Sequence, residues 1–206
     1  MFNKSDQIIW DSIFSNVPPE WTQPEVSEAM RDCLKYYNRN NVRTVLDLGC
    51  GIGIWAMFFS KSNLKVSGVD FSRKAIDFAK KWAQSENQEI IYECSPLIDN
   101  PFINKAFDGI LASKILDNIS NEELLKAKTQ IYGNLNQNGV LYGLFNPYMT
   151  EENSEELSKR DNPTKGITSI NLTDNELKEL FPKLNLLEFR HYEHGFRGLI
   201  WQKEAN

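Results

Sequence analysis

The residues best spaced for chemistry lie between Val45 and Ala56, in the run VLDLGCGIGIWA. An acid, Asp47, stands two positions before the first of three alternate glycines, Gly49, Gly51 and Gly53. Glycine opens backbone dihedrals closed to other residues, and without a Cβ it lets a large group lie directly against the main chain. The chemistry this allows is the cradling of a ligand. A helix beginning after Gly53 would also aim its free N–H groups at the loop, where a polar or anionic moiety would sit. Asp47 would either brace the loop by accepting backbone N–H groups or face the ligand. A second acid, Asp70, closes the run KVSGVD and would either cap the next helix or reach the same ligand. The glycines alone leave the ligand open, because Gly51-Ile-Gly-Ile-Trp-Ala56 also satisfies the Gly-x-Gly-x-x-Ala pattern of dinucleotide-binding turns.

These acids need strands to carry them and helices to cover them. Val45, Leu46 and Leu48 fit a parallel strand buried on both faces, and Ile54 to Phe59 give a helix that is apolar most of the way round. Lys65 to Asp70 reads as a second strand. Ser72 can cap the helix after it, whose buried face is Ala75, Ile76, Phe78, Ala79 and Trp82. Glu89 to Cys94, Phe107 to Ala112 and Val140 to Phe145 read as three more strands. A capping box at Ser120 and Glu123 opens a helix to about Leu135, with a turn over Asn136 to Gly139. This alternation predicts an α/β fold: a mostly parallel open sheet with right-handed crossovers and helices on both faces.

The flanks differ from that rhythm. Ser5 to Phe14 predicts a short amphipathic helix, VPPEWTQPE a connector, and Pro24 the first helical position of a second helix running to the polar RNN. Pro147 to Ile170 is polar and weakly periodic, as expected of a lid over the strand ends. Thr173 and Glu176 form a second capping box for a helix to about Phe181, and Leu184 to Tyr192 and Phe196 to Lys203 predict a hairpin turning at Glu193-His194-Gly195. The expected organisation is one domain, with 1–41 as a helical cap, 42–146 as the ligand-binding core, 147–172 as the lid-like segment and 173–206 as the terminal helix and hairpin.

With 206 residues the chain is long enough to bury a sizeable core. Its net charge of −5 argues against nucleic acid as a partner, since such binding relies on a concentrated basic surface. No run reaches membrane-spanning length and the N-terminus has no leader-like apolar core, so a cytoplasmic protein without a membrane partner is expected. Cys33, Cys50 and Cys94 lack metal-like spacing, so neither a metal nor a disulfide framework is expected.

VLDLGCGIG, VSGVDFS and PFINKAFDGILASKILDNI resemble the motifs of class I S-adenosylmethionine-dependent methyltransferases of the small bacterial single-domain kind, over most of residues 42 to 203. Asp47 before Gly49, the Phe107-Asp108 pair and the closing hairpin separate this likeness from dinucleotide-binding domains. The resemblance implies a Rossmann-like, seven-stranded sheet with a C-terminal antiparallel hairpin, and S-adenosyl-L-methionine as cofactor. On it, Gly49, Cys50, Gly51 and Gly53 would pack against the cofactor's methionine and ribose, and Asp47 would serve its amino-acid end. Asp70 would accept from the ribose hydroxyls, Phe71 would lie near the adenine, and Ser95 would stand in for an acid often found after the third strand. Ser113 and Lys114 would line the methionine end. Trp21, Asp117 and Tyr148 would face the substrate, with Trp10, Tyr36 and Tyr37 as further aromatic candidates for its roof.

The implied reaction is in-line methyl transfer to an unidentified small-molecule acceptor. The alternatives are a non-catalytic cofactor- or partner-binding protein of this fold and, behind it, a protein methyltransferase. If a general base is needed, His191, His194, Asp117 and Tyr148 are its candidates.

Overall fold

A computed structural model describes residues 4–151 and 167–205. Its strands are β1 (Thr44–Leu48), β2 (Lys65–Asp70), β3 (Ile90–Cys94), β4 (Phe107–Ser113), β5 (Leu135–Phe145), β6 (Asn185–His191) and β7 (Arg197–Gln202). They form one sheet in the order β3-β2-β1-β4-β5-β7-β6, parallel except where β7 runs antiparallel between β5 and β6. The helices are α1 (Lys4–Ile13), α2 (Glu28–Arg39), α3 (Ile54–Lys61), α4 (Arg73–Ser85), α5 (Asn121–Asn134) and α6 (Asp174–Lys178). The order reverses at β1, which pairs with β2 on one side and β4 on the other. Ligands of open α/β sheets bind beyond the strand ends at such a reversal.

Period-two alternation divides the core. Val45, Val66, Leu111, Val140, Tyr142 and Ile200 pack with α2, α3 and α4, whereas Leu46, Ile110, Leu141, Phe145, Leu199 and Trp201 pack with α5 and the Leu177–Leu184 stretch. Asp108, at the foot of β4, accepts from the Arg43 and Thr44 N–H groups, the Thr44 hydroxyl and Asn136 Nδ2 at 2.8–3.0 Å. Partial burial would raise its pKa, but these donors bring it below the usual carboxylate value. The Phe107-Asp108 pair thus staples three strands at the end of the sheet opposite the glycine loop.

Three local expectations are corrected. Helix α2 begins at Glu28, not Pro24, because Ser27 Oγ accepts from the Met30 N–H at 3.2 Å and caps it there. The expected turn at 136–139 lies inside β5: the pairing with β4 shifts register between Phe107 and Gly109, Asn138 takes φ 60°, and Asn138 and Gly139 bond with the Lys203 backbone. Helix α6 stops at Lys178 rather than Phe181, since Pro182 disfavours helical geometry at the residue before it. The lid-like stretch 147–170 lies largely outside the described residues.

Arg197, buried at the start of β7, ties the sheet to the flanks of that stretch. Its Nε and Nη2 donate to the Asn146 carbonyl at 3.0 and 2.6 Å, and its Nη1 to the Leu172 carbonyl at 2.6 Å and to Asp174 at 3.2 Å. Arg197→Met leaves two carbonyls without these donors and is expected to lower stability by about 2 kcal/mol, read from urea unfolding. An unchanged midpoint would contradict the role given to this residue.

Candidate active site

The chain from Leu48 into α3 is fastened to the end of β2. The Gly49 and Cys50 N–H groups donate to the Val69 carbonyl at 2.8 and 3.0 Å, and the Gly51 N–H donates to Asp70 Oδ2 at 2.9 Å. Asp70 Oδ1 accepts from the Ser72 N–H at 2.8 Å, so the carboxylate bridges the glycine loop and the N-cap of α4. Burial pushes its pKa up to about 6, against the lowering effect of the Ser72 and Gly51 N–H groups. Asp47 is more deeply enclosed. Burial and then the charge of Asp70 hold its pKa well above the carboxylate range, opposed by a hydrogen bond from the Ala56 N–H. Its Oδ2 has no hydrogen-bond partner among the described residues.

Both acids line a cavity of about 520 Å³ at the C-terminal ends of β1, β2 and β4. The cavity brings together the expected Asp47, Gly49, Cys50, Gly51, Asp70, Phe71, Ser113, Lys114 and Trp21. Ser113 Oγ is a second buried polar atom with no partner there. Gly51 leaves room on this side: a Cβ at that position would find Phe14 Cζ at 3.5 Å as its nearest neighbour.

Four expected residues do not line it. Gly53, with φ 86°, presses on β3 instead, where a Cβ would lie 2.3 Å from Tyr92 Oη. Ser95 donates to the Asp99 carbonyl at 2.9 Å. Asp117 is buried behind the wall, where it accepts from the Asn146 N–H at 2.7 Å. Tyr148 lines a separate hollow with Asp174, His191 and Arg197, and His191 there meets Asp174 at 3.0 Å. Tyr36 and Tyr37 also lie elsewhere, Tyr36 donating to Glu188 and Tyr37 buried in the core.

Of the further aromatic candidates for the roof, Trp10 lines the cavity, and beside it stand walls that the sequence did not single out. Trp10 and Ile13 of α1 and Phe14 just after it cover the cavity, with Trp10 and Phe14 stacked at 5.5 Å, and Trp55 and Ile115 add to the apolar lining. Helix α1 is held in place by Gln7 Nε2 donating to the Phe71 carbonyl at 3.0 Å and by Asp11, which accepts from the Ser72 hydroxyl at 2.5 Å. The signal available for α1 was the apolar face of a helix with no partner assigned to it.

Residues 45–139 match the methyltransferase domain family. That match spans β1 to the bulge of β5 and contains both acids and the glycine loop. Over that stretch the chain is similar to S-adenosylmethionine-dependent methyltransferases of class I. A ubiquinone biosynthesis O-methyltransferase of Nitrobacter winogradskyi is 29% identical over 130 residues, which cover 58% of this chain and 49% of that protein. A ribosomal protein L11 methyltransferase of Dictyoglomus turgidum is 35% identical over 97 residues, 47% of this chain and 30% of that one. The chain therefore matches about half or less of the length of these relatives. Among solved structures, magnesium protoporphyrin IX methyltransferase from Synechocystis PCC 6803 with bound SAH shares the fold, with TM-score 0.72 and 14% identity over 98% of this chain and 96% of that one.

S-adenosylmethionine is the cofactor of that family, and the cavity suits it. A buried carboxylate oxygen without a partner matches an ammonium, a carboxylate at the end of β2 matches a pair of hydroxyls, and an open glycine matches a group lying flat on the backbone. The volume falls within the usual range of small-molecule and cofactor sites.

The raised pKa of Asp70 also makes stability depend on pH. The folded protein holds a proton there that the unfolded chain releases near pH 4, so the unfolding free energy falls as pH rises from about 4 through about 6. The loss from this carboxyl is at most about 3 kcal/mol. Urea unfolding at pH 4.5 and 7.5, with Asp70→Asn as reference, is expected to show a pH-linked loss in the intact protein that the variant lacks. Equal pH dependence in both would contradict it.

Proposed function

We propose that this methyltransferase binds S-adenosylmethionine in the cavity at the β1 and β4 ends and transfers its methyl group to a small-molecule acceptor in the cytoplasm. The observation that carries the reading is Asp47, a buried carboxylate with an unpartnered oxygen in the same cavity as the β2-terminal acid Asp70. When bound, the cofactor supplies an electrophilic methyl on a sulfonium centre. The protein's share is then to bind, orient and exclude water.

Asp47 holds the cofactor's ammonium, and Asp70 gives up part of its hold on the backbone to accept from the ribose hydroxyls. Gly51 lets the ligand lie on the main chain, Phe71 flanks the adenine, and Ser113 offers an unused hydroxyl at the methionine end. Trp10, Phe14 and Trp21 close the cavity against water. The net charge of −5 and the small-molecule pathway named for the ubiquinone relative favour a small acceptor over nucleic acid. A protein acceptor is the second reading, favoured by the ribosomal-protein relative.

Incubation with S-adenosylmethionine and a panel of metabolites is expected to yield S-adenosylhomocysteine with at least one of them. Release only with added protein substrates would favour the second reading. None with any acceptor, from protein that binds the cofactor, would make it a non-catalytic member of the fold.

A further inference from the structure

A second cavity, of about 550 Å³, lies between the start of α2 and the turn from β6 to β7. It shares only two lining residues with the first, Trp55 and Lys114. We propose that this cavity is the acceptor site, that its substrate is a small aromatic molecule carrying an ionisable hydroxyl, and that Lys114 takes the hydroxyl's proton and holds the resulting oxyanion. The proposal rests on the donor-site reading above and adds the substrate class and a base.

Position is the first argument. Trp55 and Lys114 line both cavities, so they stand where a methyl group would pass from one to the other. Trp55 is fixed by Tyr142 and Phe59, with ring centroids at 5.9 and 5.8 Å. Lys114 is fixed through its backbone, which sits at φ 54°, donates to the Leu144 carbonyl at 2.7 Å and accepts from Asn118 Nδ2 at 2.6 Å. A side-chain-bearing residue in the left-handed region costs about 1 kcal/mol or more and persists where its surroundings enforce it. Its ammonium leans into the second cavity, 5.8 Å from the ring centre of Phe196, a residue of that cavity alone.

Charge is the second. Among the described residues no carboxylate lies within ion-pair distance of the Lys114 ammonium. Although solvent reaches Lys114 through the cavities, the surrounding protein walls lower its pKa, an effect that Asp117 opposes. In its neutral form it accepts a proton, and in its charged form it stabilises an oxyanion. Trp55, Tyr192 and Phe196 provide flat walls for a ring, and of the carboxylates in the lining, Glu25, Glu28 and Glu193, which oppose an oxyanion, Glu28 faces Arg190 at 3.7 Å. Arg31 and His194 are the other titratable side chains of this cavity, and the Arg31 guanidinium is engaged at 2.5 Å by the Val26 carbonyl.

The step balances within these parts. The hydroxyl proton passes to Lys114 Nζ, the oxygen–carbon bond forms as the carbon–sulfur bond breaks with its electron pair kept by sulfur, and the ammonium later returns the proton to solvent.

The test uses 4-nitrophenol, whose anion absorbs in the visible, added to the full-length protein saturated with S-adenosylhomocysteine, one pH unit below the free phenol's pKa. Saturation is verified by calorimetry for every variant. The intact protein is expected to lower the apparent pKa of the bound phenol by about one unit, a tenfold change in ionisation. Lys114→Met should abolish the bound-anion band and Lys114→Arg, which keeps the charge, should retain it. Val26→Trp, filling the cavity from an exposed position, should remove the band while S-adenosylhomocysteine still binds. Intact protein that binds S-adenosylhomocysteine but shows no anion band, or a band undiminished in Lys114→Met, overturns this proposal alone. Intact protein that does not bind S-adenosylhomocysteine overturns the donor-site reading as well.

Discussion

Gly53→Ala is expected to lower the unfolding free energy by about 3 kcal/mol or more, well beyond the loss expected for Gly51→Ala. Alanine pays about 1–2 kcal/mol in the left-handed region that Gly53 occupies at φ 86°. Its methyl would lie 2.3 Å from Tyr92 Oη, 3.0 Å from Tyr92 Cζ and 3.3 Å from Ala79 Cβ. Tyr92 is buried and cannot swing to solvent, so the helix must move off β3, and overpacking of this kind typically costs about 1–3 kcal/mol. Tyr92 Oη has no hydrogen-bond partner among the described residues, so Tyr92→Phe alone should be close to neutral. Combined with Gly53→Ala it should restore part of the loss, because the nearest clashing atom is gone. Gly51→Ala makes the contrast: its methyl meets nothing closer than 3.5 Å, so the fold should lose only about 1 kcal/mol while the donor cavity is obstructed. Urea unfolding of the four variants measures all of this. Equal losses for Gly51→Ala and Gly53→Ala would contradict the division of labour within the loop.

The two glycines also show what was legible beforehand. Their spacing marked a turn open to a ligand, and that is where the cavity lies, but spacing does not say which glycine faces the ligand and which faces Tyr92. That difference arises from contact with β3, some forty residues away in sequence. The strands were readable because each is a short apolar run, and the caps at Ser72, Ser120 and Thr173 because the partner is only three residues on. Ends decided by distant contacts were not readable. The bulge over 136–139 depends on Asp108 and on the Lys203 backbone, and neither adjoins it in sequence.

For the site, residues on the strand ends were placed by topology, so Asp47, Asp70, Ser113 and Lys114 converge as expected. Asp117 and Tyr148 sit past those ends, where one turn decides which way a side chain faces. At α1 the sequence offers Trp10 as a candidate for the roof but not Ile13 or Phe14, for another reason: an amphipathic helix announces an apolar face without naming what it covers. The same holds for the second cavity, whose walls come from the start of α2, from α3, from the ends of β4 and β5 and from the hairpin turn, segments with no shared motif.

Asp47→Asn is expected to weaken S-adenosylmethionine binding about a hundredfold, roughly 2.7 kcal/mol, while making the ligand-free protein more stable. The two effects have one cause. In the ligand-free protein the carboxylate is desolvated, faces the charge of Asp70 and has an oxygen without a partner, so a neutral side chain of the same shape relieves the fold. On the proposed binding mode, that same charge would meet the cofactor's ammonium inside the cavity, where a charge-assisted hydrogen bond contributes about 1.5–3 kcal/mol. Asparagine keeps an acceptor for the Ala56 N–H and so tests the charge alone. A purely structural brace would behave in the opposite way, with stability falling and affinity little changed.

The direct test of the donor site is titration calorimetry of S-adenosylmethionine into the intact protein, Asp47→Asn and Asp70→Ala. Saturable one-site binding by the intact protein, weakened about a hundredfold by Asp47→Asn and at least about tenfold by Asp70→Ala, is the predicted result. No binding by the intact, folded protein, or equal affinity in all three, would contradict it.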